Sequence, residues 1–127
     1  MIVLDAHVLI GFLDPTDPHH GFTRALRERH VAGGYASNVL SIAEALVHPT
    51  RAGIQDAAQA SLETIIVQII GVDPGEARTL ASVRNTHRLR TPDAVALHTA
   101  LTSGSPPATF DEALAAAATR AGVSLAI

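Results

Sequence analysis

The chain has 127 residues and a formal net charge of -3, and 47% hydrophobic against 17% charged residues supports one buried core and argues against disorder. It has no Cys, and its nine basic residues are all Arg, so disulfides, thiolate zinc sites, cysteine nucleophiles, Walker-A phosphate loops and Schiff-base chemistry are excluded. Aromatics are 3% with no Trp, which argues against the stacking platforms of RRM and OB proteins, and no basic run marks a nonspecific DNA coat.

Met1 to Ile10 lacks a basic n-region and is interrupted by Asp5 and His7. Neither a signal peptide nor a membrane span is expected, and the location is read as cytoplasmic. Ile2 to Leu4 reads as a short buried strand, with a helix starting near Val8. Asp14-Pro15 and Asp17-Pro18 form a turn, His20 to His30 a helix, and Gly33-Gly34 ends it. Tyr35 to Ser37 reads as a strand, and Asn38 caps a helix through Val47 that Pro49 stops. Ile54 to Glu63 is helical, and the β-branched run Ile65 to Ile70 suits an inner strand. Pro74 to Thr86 and Pro92 to Leu101 read as helices with Pro in the first turn. Ala108 to Phe110 is a strand, Asp111 to Ala121 a helix, and Val123 to Leu125 a final strand. The alternation predicts a single α/β domain over residues 1–127, with a central, mostly parallel sheet flanked by helices.

Open parallel sheets build their sites beyond the carboxyl ends of the strands. Asp5 follows the first strand directly and Asp111 follows Ala108-Thr109-Phe110. Asp93 opens a helix with Thr91 as its cap, and Glu44 lies on a partly apolar helix face. Taken singly, each has a structural reading. Asp93 suits a helix dipole, Asp111 reads as an N-cap, and Glu44 as a solvated helix residue. Asp5 is harder to dismiss, because a buried strand end does not favour an unpaired charge. Together they are expected to converge on one cleft. Two such charges ~5 Å apart repel by on the order of 3 kcal/mol at an effective dielectric near 20, so the cluster calls for a cation. Oxygen-only ligands suit Mg²⁺ or Mn²⁺, which activate water and steady an anionic phosphodiester transition state.

Val3-Leu4-Asp5-Ala6-His7-Val8-Leu9-Ile10 resembles the opening motif of PIN-domain ribonucleases. Ser41-Ile42-Ala43-Glu44-Ala45-Leu46 resembles their helix-borne glutamate motif. Leu89-Arg90-Thr91-Pro92-Asp93-Ala94-Val95-Ala96-Leu97 resembles the third, and Ala108-Thr109-Phe110-Asp111-Glu112-Ala113-Leu114 the fourth. The motifs stand in family order and cover nearly the whole chain, and the compact format resembles VapC-type toxins of toxin–antitoxin pairs. The resemblance implies a magnesium-dependent endoribonuclease, dimeric and held inactive by a small antitoxin. It also implies products with 5′-phosphate and 3′-hydroxyl ends, and it carries the catalytic and metal-holding role onto Asp5, Glu44, Asp93 and Asp111. Where the family has Ser or Asn two residues after the first Asp, this chain has His7. His7 supports the acids, packs, or acts directly; Thr109 is expected to stand behind the acids with it.

The remaining histidines show no metal-ligand spacing. His19-His20 reads as a solvated helix start, His30 and His87 suit helix ends, His48 ends its helix, and His98 is structural. Arg84, Arg88 and Arg90 adjoin the Asp93 motif and are the candidate RNA phosphate contacts. Arg24, Arg27 and Arg29 read as a solvated face with pairs such as Arg24–Glu28. The alternative function is a catalytically weak PIN-like module that holds RNA or a protein. A haloacid-dehalogenase-like phosphatase would need a second Asp at position 7 and a Lys, and has neither. Mean hydropathy is positive at +0.25, so an apolar surface and a homodimer are expected, with 54–62 and 39–47 as candidate surfaces.

Overall fold

The computed structural model describes residues 1–126. Ile2-Val3-Leu4 forms β1 (Ile2–Leu4), whose last two residues are fully buried. Asp5 then caps α1 (Ala6–Leu13), so this helix starts earlier than its apolar pattern predicted. α2 (His20–Leu26) is shorter than predicted; Arg27, Glu28 and Arg29 continue it only as exposed turns with i→i−3 bonds. β2 (Tyr35–Asn38) is buried throughout, and Asn38 caps α3 (Val39–Ala45) through Ser41 N–H at 2.7 Å.

The predicted single helix to Val47 breaks at Leu46. Pro49 does not stop it but sits inside α4 (Val47–Arg51), in the first turn, where a missing N–H leaves no helical bond unmade. His48 is accordingly near the start of a helix, not its end. α5 (Gln55–Glu63) leads to β3 (Ile66–Ile70). A 3₁₀ turn (Pro74–Glu76) precedes α6 (Ala77–His87), and α7 (Thr91–Ser103) follows with Arg90, not Thr91, at the cap. The last elements are β4 (Pro107–Ala108) and α8 (Glu112–Arg120).

The sheet has order β3-β2-β1-β4 and every pairing is parallel. β3 is therefore an edge strand and not the inner strand predicted, with Val67 70% and Ile69 57% exposed. A β-branched run reports strand propensity, not which faces are covered. β4 is shorter than predicted. Pro107 pairs with Val3 but has no N–H to offer a further neighbour, which suits an edge. The predicted strand Val123 to Leu125 does not form. Among the described residues Ala126 N–H reaches β4, at Pro107 O and 2.9 Å, and Pro107 cannot reciprocate.

One core cluster joins Leu4, Tyr35, Ile66 and Ala108 of the sheet to Val8, Leu9 and Phe12 of α1, Leu26 of α2 and Leu62 of α5. Gly11 lets α1 and α2 approach closely, since a Cβ there would lie 3.1 Å from Thr23 Cγ2. α7 packs on β1, β2 and β4 and is buried continuously from Asp93 to Ala100, which is why its sequence lacks a polar face. A second cluster locks α7 to α8 through Leu97, Leu114, Ala117 and Ala118. Among the described residues no helix is long and apolar enough to cross a membrane.

Candidate active site

Three strands hand over to helices through a side-chain cap at their carboxyl ends. Asp5 Oδ1 accepts from Val8 N–H at 3.0 Å, Asn38 Oδ1 from Ser41 N–H, and Asp111 Oδ1 from Leu114 N–H at 2.9 Å. Caps at parallel strand ends point the same way, so the two aspartates are fixed on one edge of the sheet. The other Asp5 oxygen accepts a hydrogen bond from the Thr109 hydroxyl, and Thr109 Oγ1 in turn accepts from Asp111 N–H at 3.0 Å. Thr109 therefore ties the β1 end to the β4 end. Ser37 Oγ donates to Leu4 O at 2.7 Å and fixes the backbone one residue before Asp5.

Asp93 stands in the first turn of α7 and is 8% exposed. Burial raises its carboxyl above the ordinary range; the charges of Asp111 and Glu44 push it further, while Arg90 and His7 oppose them. Asp5 is 4% exposed and is also raised, first by burial and then by the charge of Asp93, against the Thr109 and Val8 hydrogen bonds and the charge of His7. Asp93 thus feels the charges of Asp111 and Glu44, and its own charge acts on Asp5. Arg90 Nε lies 3.7 Å from Asp93 Oδ2, an ion pair with its Arg end largely in solvent.

Glu44 is exposed on α3 and borders a groove of about 290 Å³ with Ile10, Leu13, Ala45, Val47 and Ile54. His7 is exposed on the first turn of α1, near enough for its charge to act on both Asp5 and Asp93. The donor set is oxygen-only and half of it is buried, which is the chemistry a hard divalent cation takes. As the side chains stand, the acids share a field but do not close into a ligand set: among the described residues no three His, Asp or Glu groups converge at ion-holding spacing.

Arg84, Arg88 and Arg90 are brought together around an open groove of about 570 Å³ with Ala81, Asn85 and Leu89. Arg88 closes α6 with a left-handed backbone, φ 53°, and Arg84 Nε donates to Leu89 O at 3.0 Å, which fixes the turn into the Asp93 helix. Arg27 is not part of this: its guanidinium donates to Thr64 Oγ1 at 2.8 Å and lies 5.0 Å from the Phe12 ring centre. The Arg24–Glu28 pair is not among the ion pairs of the described residues. His98 is structural as expected, buried with Nε2 2.8 Å from Glu76 Oε2.

The sequence reading missed Asp17, His19 and Phe110. They form a cavity wall beside Asp111, and His19, at the start of α2 and half exposed as expected, also lies flat against Phe110. Phe110 carried a signal, since it immediately precedes Asp111; His19, 91 residues earlier, carried none.

A family model described as the PIN domain matches residues 2–119. No curated protein matches the chain. Among solved structures it is similar to VapC20 of Mycobacterium tuberculosis, described as a sarcin-ricin loop cleaving toxin, at TM-score 0.78 and 17% identity, covering 98% of this chain and 97% of that one. It is similar to FitAB bound to an IR36 DNA fragment at TM-score 0.74 and 18% identity, covering 98% and 93%. A toxin–antitoxin complex from Klebsiella pneumoniae gives TM-score 0.70 and 20% identity over 87% of each chain. At such identities the likeness is one of fold.

Proposed function

The chain belongs to the PIN domain family, and from that membership and its acidic cleft we propose that it is a metal-dependent endoribonuclease, the toxin of a toxin–antitoxin pair. One observation carries the reading. Asp93 is buried within the fields of Asp111 and Glu44 and acts in turn on buried Asp5, an arrangement that stores repulsion which a shared cation would relieve. Asp5, Asp93 and Asp111, with Glu44, would hold Mg²⁺ or Mn²⁺. When bound, such an ion supplies water activation and neutralisation of phosphodiester charge.

The chain's own residues do the positioning. Thr109 and the Val8 N–H hold the Asp5 carboxylate, and the Leu114 N–H holds Asp111, so neither carboxylate turns freely. Arg88 and Arg90 offer guanidinium forks to phosphates flanking the cleft, and Arg90 balances Asp93 in the absence of RNA. Hydrolysis adds water across the P–O3′ bond, leaving a 5′-phosphate and a 3′-hydroxyl. His7 lowers the cost of the Asp5 and Asp93 charges and borders the substrate side of the cleft.

The partners belong to the same reading. A cognate antitoxin inhibits by placing an Arg or Lys among the acids, with an apolar helix in the groove beside Glu44. Exposed Val39 and Leu40, outside that groove, supply apolar area for a homodimer, to be read by sedimentation at tens of micromolar. Cleavage of RNA with Mg²⁺ or Mn²⁺, abolished by EDTA and by Asp93→Asn, is the test. The acids' open spacing favours one second reading, a module that binds RNA and does not cut it; that module would shift RNA in a binding assay and leave it intact.

A further inference from the structure

The chain has only three Phe, and two of them stand at one rim of the acidic cleft. His19 lies flat on Phe110, ring centres 3.9 Å apart and planes within 9°, and Phe22 meets Phe110 edge-on at 5.8 Å. The stack is not buried: the His19 side chain is 50% exposed and Phe22 49%. It walls a cavity of about 680 Å³ that is also lined by His7, Asp17, Pro18 and Asp111. Asp111 belongs to both the cavity and the acid cluster, so whatever fills the cavity touches the cleft.

We propose that this cavity is a nucleobase subsite: it takes the unstacked base of a nucleotide next to the cleaved phosphodiester, laid against the His19–Phe110 stack. This rests on the ribonuclease reading above. Three features select a base over other ligands. The free face of a flat, exposed ring is a stacking surface for any base. The carboxylates of Asp17, Asp111 and Glu112 line the same space and repel phosphate, whereas they accept hydrogen bonds from a neutral base. The phosphates have their own place in the Arg84, Arg88 and Arg90 groove, which borders the acids through Arg90.

The stacking face is also held in position before RNA arrives. Asp17 Oδ1 accepts from His19 N–H at 2.9 Å and lies 3.5 Å from His19 Nδ1. The neighbouring His20 Nδ1 is 2.8 Å from Gly11 O, which anchors the same turn to α1. A ring laid flat on Phe110, on a backbone held by Asp17, loses little freedom on binding. His19 is thus a positioning residue for substrate.

The test uses a short single-stranded RNA with one cleavage site, and the same RNA made abasic at each flanking nucleotide in turn. His19→Ala is expected to raise KM about tenfold and to change kcat little, and His19→Phe to restore most of the loss. One abasic position should cost the wild type the same factor and cost His19→Ala nothing more. Equal losses for His19→Ala and His19→Phe, no loss for either, or an abasic penalty that persists in His19→Ala would overturn the subsite. If the wild type cuts no RNA at all, the ribonuclease reading fails by that result alone. The subsite is then judged by fluorescence anisotropy of the same RNAs on Asp93→Asn with and without His19→Ala, where unchanged affinity overturns it.

Discussion

Replacing Asp5 by Asn and by Ala separates the shape of that carboxylate from its charge. The structure gives Asp5 two acceptor duties, the cap to Val8 and the bond from Thr109, in a site that is 4% exposed. Its net shift is upward, with burial the largest cause, so the charge is the destabilising part and the shape the stabilising part. Asn keeps a cap oxygen, and its amide donates to Thr109 Oγ1 where the carboxylate had accepted, so the contact is kept with its direction reversed and the hydroxyl proton turns elsewhere. Ala loses a cap worth about 1 kcal/mol and strands the buried Thr109 hydroxyl at about 1–3 kcal/mol. Relief of the buried charge offsets part of that, which leaves Asp5→Ala about 1–3 kcal/mol less stable than wild type. At about 3–5 °C per kcal/mol for a chain of this length, Asp5→Ala should melt roughly 3–15 °C lower and Asp5→Asn at or above the wild-type temperature. Calorimetric melting of the three proteins in EDTA at pH 7.5 reads this directly, and both variants should be inactive on RNA. If Asp5→Asn fell as far as Asp5→Ala, the ionised carboxylate would be net stabilising and the burial argument would fail.

The pH dependence follows from the same two acids. Asp5 and Asp93 both bind their proton more tightly folded than unfolded, so the stability they contribute is complete below about pH 4 and is lost as the pH rises through their folded values. The melting advantage of the double variant Asp5→Asn, Asp93→Asn in EDTA should therefore grow between pH 4 and 7.5; an advantage that shrinks over that range refutes the sign. Arg88→Gly should separate fold from RNA contact. Its left-handed backbone favours Gly by about 1 kcal/mol, so the variant should melt a few degrees higher. Its RNA affinity should nevertheless drop, with the salt slope of binding smaller by about 0.7; an unchanged slope removes Arg88 from the phosphate path. Millimolar Mn²⁺ should raise the wild-type melting temperature and do much less for Asp93→Asn.

The sequence was most informative where a local rule and the global fold agree. Asp5, Asn38 and Asp111 are Asx residues at strand-to-helix junctions, and each caps a helix. Parallel pairing followed from the alternation of elements. What failed were features decided by neighbours in space. β3 has the composition of an inner strand, yet among the described residues no strand covers its far side, and Pro107 has no N–H with which β4 could recruit the C-terminal segment. Pro49 reads as a stop in sequence, but it falls in the first turn of a new helix and breaks nothing. At the site, the strand-end acids were legible because each ends an apolar run. The aromatic wall was not, because His19 and Phe110 meet only through the fold, and an overall aromatic content of 3% concealed that Phe22 and Phe110 stand together at one rim.

The central claim is that the cleft around Asp93 is where RNA is cut. The measurement is time-resolved cleavage of a panel of stem-loop and single-stranded RNAs by the wild type and by folded Asp93→Asn. Each is run with Mn²⁺ and with EDTA, and the product ends are identified by phosphatase and ligation sensitivity. The account predicts cleavage by the wild type with Mn²⁺ only, 5′-phosphate and 3′-hydroxyl products, and a rate at least about a hundredfold lower for Asp93→Asn. Cleavage that continues in EDTA, or an Asp93→Asn protein that cuts as fast as the wild type, would contradict it.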